Sequence, residues 1–571
     1  MFKRIRKKKL NLNPRLYPLI STVFLLLSGC SSSHFAATDS DESLNLNLIG
    51  PATVYSDVCS VFMVSLSKTS DQSYSTSLLN LEFNLSSSAG GFFTTDSHCS
   101  TPASTVSIPS GEGFAFIYYK HSQTGHVDLS LIDPFFSFSP VNKQIQIASP
   151  GQSGSLDTTF GKDHNGKVTL SIGENDDELN AIAVQPDGKI VGAGYTTVNA
   201  TTGHSDFVLI RYNTDGSQDT TFGVNGIVKT QFGGTDESIH ALAIQPDGKI
   251  IAAGNITEAG IKKYTLVRYH KDGSLDQAFG REGIVKTTLG ENINGELQAI
   301  KLQSDGKIIV AGHSSDVNAP NIDFALVRYH SDGSLDTSYG EDHTGIVRTP
   351  IGSADDKCYA LAIQSDGKII AGGHSTAGAK EIFALARYNR DGTLDQSFGE
   401  NHTGKITKSI GTLNSYIGSL VLQLDGKIIA LGGSSNGNDG VVTLIRYHTD
   451  GSVDQSFGNS NTGIATSGLA GTDFGTAVQS ANLDPYGNII TSGSAIKDGK
   501  NDFFVMKFNS NGILDSSFGE APGSGIAKIS IGTQNDTALA MDLQPDGKIV
   551  VAGSSQSNQL KDNFALIRLW P

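Results

Sequence analysis

The sequence lacks the short motifs that mark many metal sites and hydrolases. It contains no His-x-x-x-His or Cys-x-x-Cys pair, so a strong metal signature is missing. No Gly-x-Ser-x-Gly motif stands between a strand and a helix, as the nucleophile elbow of α/β-hydrolases requires. Charged residues are only 17% and Trp occurs once, whereas Gly occurs 65 times in 571 residues. Helical proteins use more Lys, Glu, Leu and Arg than this. The composition therefore predicts a turn-rich, all-β chain.

Long apolar runs are scarce too, and the clearest one lies in a basic leader. Residues 1–29 hold seven Lys and Arg residues and no acidic residue, and the apolar run Leu19–Leu27 is too short to span a bilayer stably. The run ends in Leu27-Ser28-Gly29-Cys30, which resembles the lipobox of bacterial lipoproteins. The resemblance implies a signal peptide over residues 1–29 and a two-chain lipid anchor on Cys30. An ordinary signal peptide with an incidental Cys is the alternative.

The net charge of the chain limits the classes of partner that it is expected to bind. Without the leader, 35 basic and 57 acidic residues remain, a net charge of −22. An exported protein this acidic is a poor partner for nucleic acid; it suits cations or basic partners, although solubility alone would explain the charge. Ser31 replaces the Asp that retains some lipoproteins in the inner membrane. The resemblance thus implies a cell-envelope protein, anchored in the outer membrane rather than the inner one.

The segment after the anchor predicts a tether and a small domain. Residues 30–45 are rich in Ser, Asp and Asn, which is typical of a flexible tether. Residues 46–150 contain six or seven short alternating runs between Gly, Ser and Asp clusters, which predicts a β-sandwich and resembles a bacterial immunoglobulin-like domain. Cys59 and Cys99 lie within it and are expected to pair in an oxidising compartment. Cys358 is single in an apolar pattern and is expected to be a small buried hydrophobe.

The other three-quarters of the chain, residues 154–571, repeat one unit of about sixty residues. The turn Gln185-Pro186-Asp187-Gly188 is the first of seven similar copies at intervals of 58–61 residues, and Tyr486 replaces the Asp in one of them. Each unit holds four strand-like runs, and Pro-Asp-Gly forms a tight turn between the first two. A blade with two apolar faces needs a neighbour on each side. The pattern therefore predicts a seven-bladed β-propeller of four-stranded blades.

The unit resembles the bacterial delta-sixty repeat in its Gln-Pro-Asp-Gly-Lys-Ile, Phe-Ala-Leu-x-Arg-Tyr, Asp-Gly-Ser-Leu-Asp and Phe-Gly segments. This resemblance implies an exported propeller and little about function. The region begins with an outer-strand run, Lys167–Ile172, and ends with a third-strand run, Asp562–Leu569. The last blade must therefore take its outer strand from the start of the region. We expect the ring to close with three strands plus one.

Features found in every unit indicate architecture rather than a binding site. The block Asp215-Gly216-Ser217 resembles part of a calcium loop, but the cation Arg211 occupies the first ligand position. We expect a turn with an internal Arg–Asp pair there. The repeated aromatic, Phe160 and its equivalents, is expected to pack between blades. We expect no cofactor and no metal site, with calcium as the one alternative.

The connecting loops are the candidate site. The second-to-third and fourth-to-first connections of the blades are expected to share one face of the ring, and both vary among the units. Recognition is usually built on variable loops of a rigid scaffold. Acidic residues of the fourth-to-first loops predict a ligand-binding channel mouth, and they are Asp176, Asp177, Asp236, Glu237, Asp355, Asp356 and Asp536. The alternative is that they cap turns, as Asn294, Asn414 and Asn535 would at matching positions.

The sequence thus predicts a binding scaffold that is attached to the membrane through Cys30 and recognises a protein or a glycan through one propeller face. No residue is identified as catalytic. The alternative is a propeller hydrolase or lyase that acts on glycans or envelope polymers. Two carboxylates at the channel mouth, one of them desolvated, would favour the enzyme.

Overall fold

The computed structural model describes residues 44–571 apart from short segments, which are 69–79, 97–98, 110–112, 135–137, 200–203, 234, 400, 412–413, 436–439, 461, 469–476, 498, 520–522 and 559–560. The predicted signal peptide and Cys30 lie outside the described residues. The first strand begins at Leu44, so Leu44 and Asn45 belong to the sandwich and not to the predicted tether. Within the described residues, no helix is long and apolar enough to cross a membrane.

The N-terminal domain is a β-sandwich of two five-stranded sheets. One sheet has the order β1-β3-β8-β5-β6, with the strands β1 (Leu44–Ile49), β3 (Ser60–Lys68), β8 (Phe114–Lys120), β5 (Phe92–Thr94) and β6 (Pro102–Ala103). The other has the order β2-β10-β9-β4-β7, with the strands β2 (Thr53–Tyr55), β10 (Val141–Ala148), β9 (Gly125–Ile132), β4 (Leu81–Ser87) and β7 (Thr105–Ile108). Phe62, Phe83 and Ile117 pack between the sheets. A disulfide joins Cys59 to Cys99, with 5.9 Å between their Cα atoms. The predicted sandwich is confirmed, and its immunoglobulin-like topology stays a prediction.

Seven four-stranded antiparallel sheets follow, which confirms the seven-bladed propeller. The inner strands of blades 1 to 7 are β12 (Asp177–Val184), β16 (Thr235–Ile244), β20 (Ile293–Leu302), β24 (Asp356–Ile363), β28 (Ser415–Leu422), β32 (Ala477–Leu483) and β36 (Asp536–Leu543). The second strands are β13 (Ile190–Asn199), β17 (Ile250–Glu258), β21 (Ile308–Asp316), β25 (Ile369–Ala377), β29 (Ile428–Ser435), β33 (Ile489–Lys497) and β37 (Ile549–Gln556).

The two further strands of each blade lie towards the rim. The third strands are β14 (His204–Tyr212), β18 (Ile261–Tyr269), β22 (Ala319–Tyr329), β26 (Lys380–Tyr388), β30 (Gly440–Tyr447), β34 (Lys500–Phe508) and β38 (Asp562–Leu569). The outer strands of blades 1 to 6 are β15 (Ile227–Thr230), β19 (Ile284–Thr287), β23 (Ile346–Thr349), β27 (Lys405–Lys408), β31 (Ile464–Gly468) and β35 (Ile526–Ile529). Blade 7 takes its outer strand, β11 (Lys167–Leu170), from the start of the ring.

The ring closes as the sequence predicts. β11 pairs antiparallel with β38, so that Lys167 lies opposite Ile567 and Leu170 lies opposite Phe564. The order of the closing sheet is β11-β38-β37-β36. Three strands from the end of the ring and one from its start thus complete blade 7. The third strand of every blade is therefore paired with an outer strand, so its edge is not free to pair with another chain.

A repeated Arg, Asp and aromatic side chain joins neighbouring blades. In blade 1, the Arg211 guanidinium forms a buried ion pair with Asp219 at 2.7 Å and lies 4.6 Å above the ring centre of Phe222. It also donates a hydrogen bond to the backbone carbonyl of Lys271 in blade 2. Equivalent ion pairs occur at Arg268, Arg328, Arg387, Arg446 and Arg568. The expected Arg–Asp pair and the buried aromatic wedge are confirmed, so these residues are architectural.

Each inner strand carries a β-bulge near its start at the same position of the repeat. In blade 1 the register with β13 shifts between Leu179 and Ala181, so that Asn180 is the extra residue. The bulge brings the carbonyl oxygen of Glu178 against Gly194, where a Cβ atom would lie only 1.8 Å from it. Only glycine fits at this approach. The bulge residues of all seven blades line the central channel, and they are Asn180, His240, Gln298, Tyr359, Gly418, Gln479 and Leu539.

The sandwich contacts the face that carries the first-to-second turns of the blades. The Val61 N–H donates to the carbonyl of Pro545 at 2.9 Å, in the turn of blade 7. The hydroxyl of Tyr486, the residue that departs from the repeated turn in blade 6, accepts from the Cys59 N–H at 2.9 Å and donates to the Asp57 carbonyl at 2.6 Å. The one irregular turn of the repeat is therefore a contact point for the neighbouring domain.

Removal of the Tyr486 hydroxyl is expected to loosen this contact. Tyr486→Phe deletes both hydrogen bonds between the domains, which costs about 1–2 kcal/mol. We expect the calorimetric unfolding of the sandwich and of the propeller to separate further in the variant. Tyr195→Phe removes a hydroxyl at the other face of the ring and should leave the two transitions unchanged. Unchanged transitions in Tyr486→Phe would contradict the assignment.

Candidate functional site

The variable connections meet on one face of the ring. In blade 1 the N–H of Thr197, in the second strand, donates to the carbonyl of Asp176 at 2.8 Å, and the side-chain amide of Asn175 donates to the Thr197 carbonyl at 3.2 Å. Asp176 in turn accepts from the N–H of Asp562, at the start of the third strand of blade 7. These bonds confirm that the second-to-third and fourth-to-first connections share a face, which we call the loop face.

Four of the seven predicted acidic residues cap their own loops. The Asp177 carboxylate accepts from the Ile172 N–H at 2.8 Å, and Asp356 and Asp536 accept at 2.6 Å from the N–H groups of Ile351 and Ile531. Glu237 does the same for Phe232 at 3.3 Å. All four carboxyl-bearing residues are almost fully buried. For them, the structure shows the turn-capping arrangement that the sequence left open.

Two more of the predicted residues link neighbouring blades. Asp176 accepts from Asp562, as above, and Asp355 accepts from the N–H of Ile322 in blade 3 at 3.1 Å. The matching Asn residues act in the same way, with Asn294, Asn414 and Asn535 accepting from Lys262, Glu381 and Asn501. Asp236 is the exception, since its exposed carboxylate lies 3.2 Å from the ammonium of Lys262. Most of the predicted acidic residues therefore cap turns or link neighbouring blades.

The inner-strand position directly after the capping residue, Asp177 in blade 1, differs from blade to blade. The position of Glu178 in blade 1 is taken in blades 2 to 7 by Ser238, Glu296, Lys357, Tyr416, Ala477 and Thr537. Burial together with Asp562 and Asp176 raises the pKa of Glu178 to about 7. The channel mouth on the loop face is therefore chemically different in every blade, and blade 1 supplies a desolvated carboxyl group with acidic neighbours.

Two His–carboxylate pairs flank a tyrosine at this mouth. The Nε2 atom of His313 lies 3.1 Å from the Glu296 carboxylate, and that of His374 lies 3.6 Å from the Glu381 carboxylate. Tyr359 lies between the two imidazoles, with ring centres 6.1 Å from His313 and 5.6 Å from His374. We call these five residues the His–Tyr cluster. Both imidazoles are buried, and the Nδ1 atom of each has no hydrogen-bond partner within the described residues.

The charge states of the cluster follow from its neighbours. The hydrogen bond from His313, together with the nearby Lys262, lowers the pKa of Glu296 to about 2. Burial, with a smaller effect of Lys262, lowers the pKa of His240 in the adjacent blade to about 4. Burial also lowers the pKa of His374. At neutral pH the mouth thus presents an ionised carboxylate at Glu296 beside neutral imidazoles at His240 and His374, an arrangement suited to hydrogen bonding or proton transfer.

The sequence places His313 and His374 in neighbouring blades, but it does not predict this cluster because no second ligand is fixed near either histidine by spacing along the chain. His313 and His374 are 61 residues apart, which excludes a local pair. One repeat length separates them, however, so they occupy the same position in the second strands of adjacent blades. Superposition of the repeats would have revealed them as a repeat-breaking pair. In the described residues, no group of three or more His, Cys, Asp or Glu side chains is arranged to hold a metal ion.

Stability should depend on pH through Glu178. Its pKa rises from 4.5 to about 7 on folding, so folding binds a proton there, and stability is lost as pH rises from 4.5 through 7. Glu178→Gln cannot ionise. We expect it to be more stable than the parent protein at pH 8 by about 1–2 kcal/mol, allowing for screening by water, and equal to it at pH 4. Denaturant titrations at both pH values test this, with the exposed Glu291→Gln as control. A variant that is less stable at pH 8 would contradict it.

Comparisons with known proteins support the β-propeller fold. The model of a beta-propeller domain family of unknown function, DUF5122, matches seven segments, which are residues 185–222, 245–279, 303–339, 364–398, 423–457, 487–518 and 544–571. Comparison with curated proteins gives no match. Each matched segment begins at or within the first-to-second turn of a blade. In blades 1 to 6 it ends at the repeated aromatic residue, and in blade 7 it ends just after the third strand.

Similar solved structures include Sqt1 from Chaetomium thermophilum, with 13% identity, a TM-score of 0.36, and coverage of 71% of this chain and 100% of that one. The polysaccharide lyase Uly1 has 12% identity and a TM-score of 0.30, with coverage of 78% and 85%. An endo-arabinase from Bacteroides thetaiotaomicron has 12% identity and a TM-score of 0.28, with coverage of 48% and 93%. These scores are too low to carry an argument about activity. The seven matched segments and the seven four-stranded sheets agree, and the chain is a β-propeller protein whose seven blades are each similar to the DUF5122 model.

Proposed function

We propose that this chain is a lipid-anchored binding protein of the bacterial cell envelope, and that it recognises a protein or glycan at the channel mouth of the loop face. The observation that carries the proposal is the His–Tyr cluster. In a ring of near-identical units, only side chains that break the repeat distinguish one sector from another. Here Glu296, His313, Tyr359 and His374 gather in two adjacent blades, beside the mouth and away from the Arg–Asp–aromatic architecture.

The chemistry of the mouth suits a polar ligand with an exposed ring or apolar face. Tyr359 and Tyr416 lie with ring centres 6.3 Å apart and offer aromatic surface. The carboxylates of Glu296 and Glu381 accept hydrogen bonds from donors such as hydroxyl groups, and the neutral imidazoles supply further polar contacts. A few polar groups placed among aromatic side chains are typical of a ligand site.

The position of the sandwich supports the same assignment. It contacts the turn face through Val61 and Tyr486, and these contacts lie on the opposite side of the ring from the loop face. A lipid on Cys30 would attach to the membrane the end of the chain that precedes the sandwich. The mouth would then face away from that attachment, where envelope ligands are accessible.

Binding is tested with the full chain, purified from membranes in detergent and used to capture partners from an envelope extract. We expect Tyr359→Ala to lose captured protein or glycan by more than about tenfold, since truncation of a central aromatic contact costs 2 kcal/mol or more. Leu424→Ala, which alters an exposed apolar side chain outside the mouth, is the control. Equal capture by parent and Tyr359→Ala would contradict the proposal.

The anchor has its own test. Metabolic labelling with a fatty-acid probe should mark the parent protein and leave Cys30→Ala unlabelled. If both proteins are labelled equally, the lipid is attached elsewhere.

A glycan-cleaving enzyme is the second candidate, and the two His–carboxylate pairs beside Tyr359 favour it. A neutral imidazole next to a phenol is an acid–base arrangement. Envelope polysaccharides incubated with the protein would then yield new chain ends, and His374→Ala would remove that activity. Ligand capture without new chain ends would leave the binding protein as the function.

A further inference from the structure

The central channel contains a charge pattern that neither the repeat nor the mouth explains. We compare one position in all seven inner strands, the residue that lies two places before the first residue of the first-to-second turn. In blades 1, 2, 4 and 5 this position holds a small apolar residue, namely Ala183, Ala243, Ala362 and Val421. The same position holds Lys301 in blade 3, Asn482 in blade 6 and Asp542 in blade 7. Lys301, Asn482 and Asp542 all line a channel cavity of about 300 Å³, to which all seven inner strands contribute.

Asp542 is fixed as an acceptor on one side of this cavity. Its carboxylate accepts from the Val184 N–H at 2.8 Å, from the side-chain amide of Asn482 at 3.0 Å and from the Leu543 N–H at 2.9 Å. A carboxylate offers about four acceptor positions. These three donors hold the group in place and leave room for one more donor from the lumen.

Lys301 faces the same lumen without a partner. In the described part of the chain its ammonium group has neither a hydrogen bond nor an ion pair, and it interacts with Asp542 only at longer range. Its side chain is accessible to water in the channel but enclosed by the ring, and this burial lowers its pKa while Asp542 opposes the effect. An ammonium group that faces the lumen without a protein partner has three donors free to bind an anionic group that enters the channel.

Uncharged polar side chains also line the lumen. Gln298 and Gln479, the bulge residues of blades 3 and 6, line the cavity, and no hydrogen bond of their side chains is formed within the described residues. Their amides offer both donors and acceptors. The cavity volume lies at the lower end of the range for small-molecule sites.

We infer that the channel binds a small zwitterion, a free amino acid, with its carboxylate on the Lys301 ammonium and its ammonium on the Asp542 carboxylate. A cation and an anion held apart across a polar lumen complement a molecule that carries both charges, whereas a singly charged ion would satisfy one side and leave the other unpaired. Tyr359 of the His–Tyr cluster lines the same cavity, but it lies at the level of the bulges, whereas Lys301 and Asp542 lie nearer the first-to-second turns. The inference does not depend on what the mouth recognises.

The test is a thermal-shift measurement of the full chain with each of the common amino acids, followed by titration calorimetry of the one with the largest shift. We expect at least one amino acid to raise the melting temperature, while acetate and ethylammonium at the same concentration do not. Lys301→Met removes only an unpartnered charge and is expected to fold, yet to bind more than about tenfold more weakly. Lys301→Arg should retain binding.

Matched controls separate the channel from general charge effects. Lys229→Met and Asp163→Asn remove exposed charges outside the channel and should leave the affinity unchanged. Asp542→Asn is expected to weaken binding as Lys301→Met does. The inference is overturned if no amino acid shifts the melting temperature, if acetate shifts it equally, or if Lys301→Met binds as the parent protein does.

Discussion

Asp157→Ala is expected to lower the free energy of unfolding by about 3–5 kcal/mol. The Asp157 carboxylate is fully buried, and it lies 2.7 Å from the Arg568 guanidinium and 2.6 Å from the Lys548 ammonium. Removal of one buried ionic partner leaves the other charge uncompensated, which costs this much. Here two cations are left, and both belong to blade 7, whose outer strand comes from the other end of the ring.

Equilibrium denaturation in urea measures the loss, with Asp163→Ala, an exposed carboxylate six residues away, as the control. Asp395→Ala removes the equivalent carboxylate in blade 4, where the partner Lys368 is more exposed than Lys548. We therefore expect the blade 4 variant to lose less stability than Asp157→Ala. A loss below 1 kcal/mol in Asp157→Ala would show that water or Asp546 compensates the two cations.

Gly432→Ala should destabilise the propeller by about 3 kcal/mol, although it adds a single methyl group. A Cβ atom at Gly432 would lie 1.7 Å from the carbonyl oxygen of Tyr416, which the bulge of the blade 5 inner strand pushes towards it. Backbone cannot move aside as a flexible side chain would, so the strands must separate, at a cost at or above the usual range for overpacking. Equivalent contacts of 1.8–2.0 Å occur at Gly194, Gly254, Gly312, Gly373 and Gly553.

Gly468→Ala is the matched control, because this strand residue has no atom within 4 Å of the added Cβ. We expect its melting temperature to equal or slightly exceed that of the parent protein, since alanine restricts the unfolded chain more than glycine does. If Gly432→Ala and Gly468→Ala melt together, the bulge is not the constraint that keeps glycine in every blade.

The propeller could be predicted from the sequence because each blade repeats the same local signals. The first-to-second turn appears seven times in step with the strand pattern, with Asp-Gly in six of the copies, and the register of Lys167–Ile172 and Asp562–Leu569 fixes how the ring closes. The Arg211 position showed that the Asp-Gly-Ser block is a turn, because a cation cannot serve as a calcium ligand.

For the candidate site, the sequence predicts which face of the ring carries it but not which residues form it. An acidic loop residue either points to water or turns back to cap its own backbone, and the sequence does not distinguish these for Asp177 or Asp356, which the structure shows as caps. His313 and His374 become neighbours only when the ring places adjacent blades side by side. Tyr486 was visible as a departure from the repeat, but its partner lies more than 400 residues away.

The strand pairing that joins the two ends of the ring also sets an order of assembly. β11 forms near the beginning of the propeller, yet its partner β38 is made almost 400 residues later. Until those last residues emerge, the nascent chain carries a ring with a gap and exposed apolar blade faces. Contacts so distant in sequence form slowly. Completion of the circle therefore requires synthesis through β38, and a product that is terminated before this strand stays open to proteases.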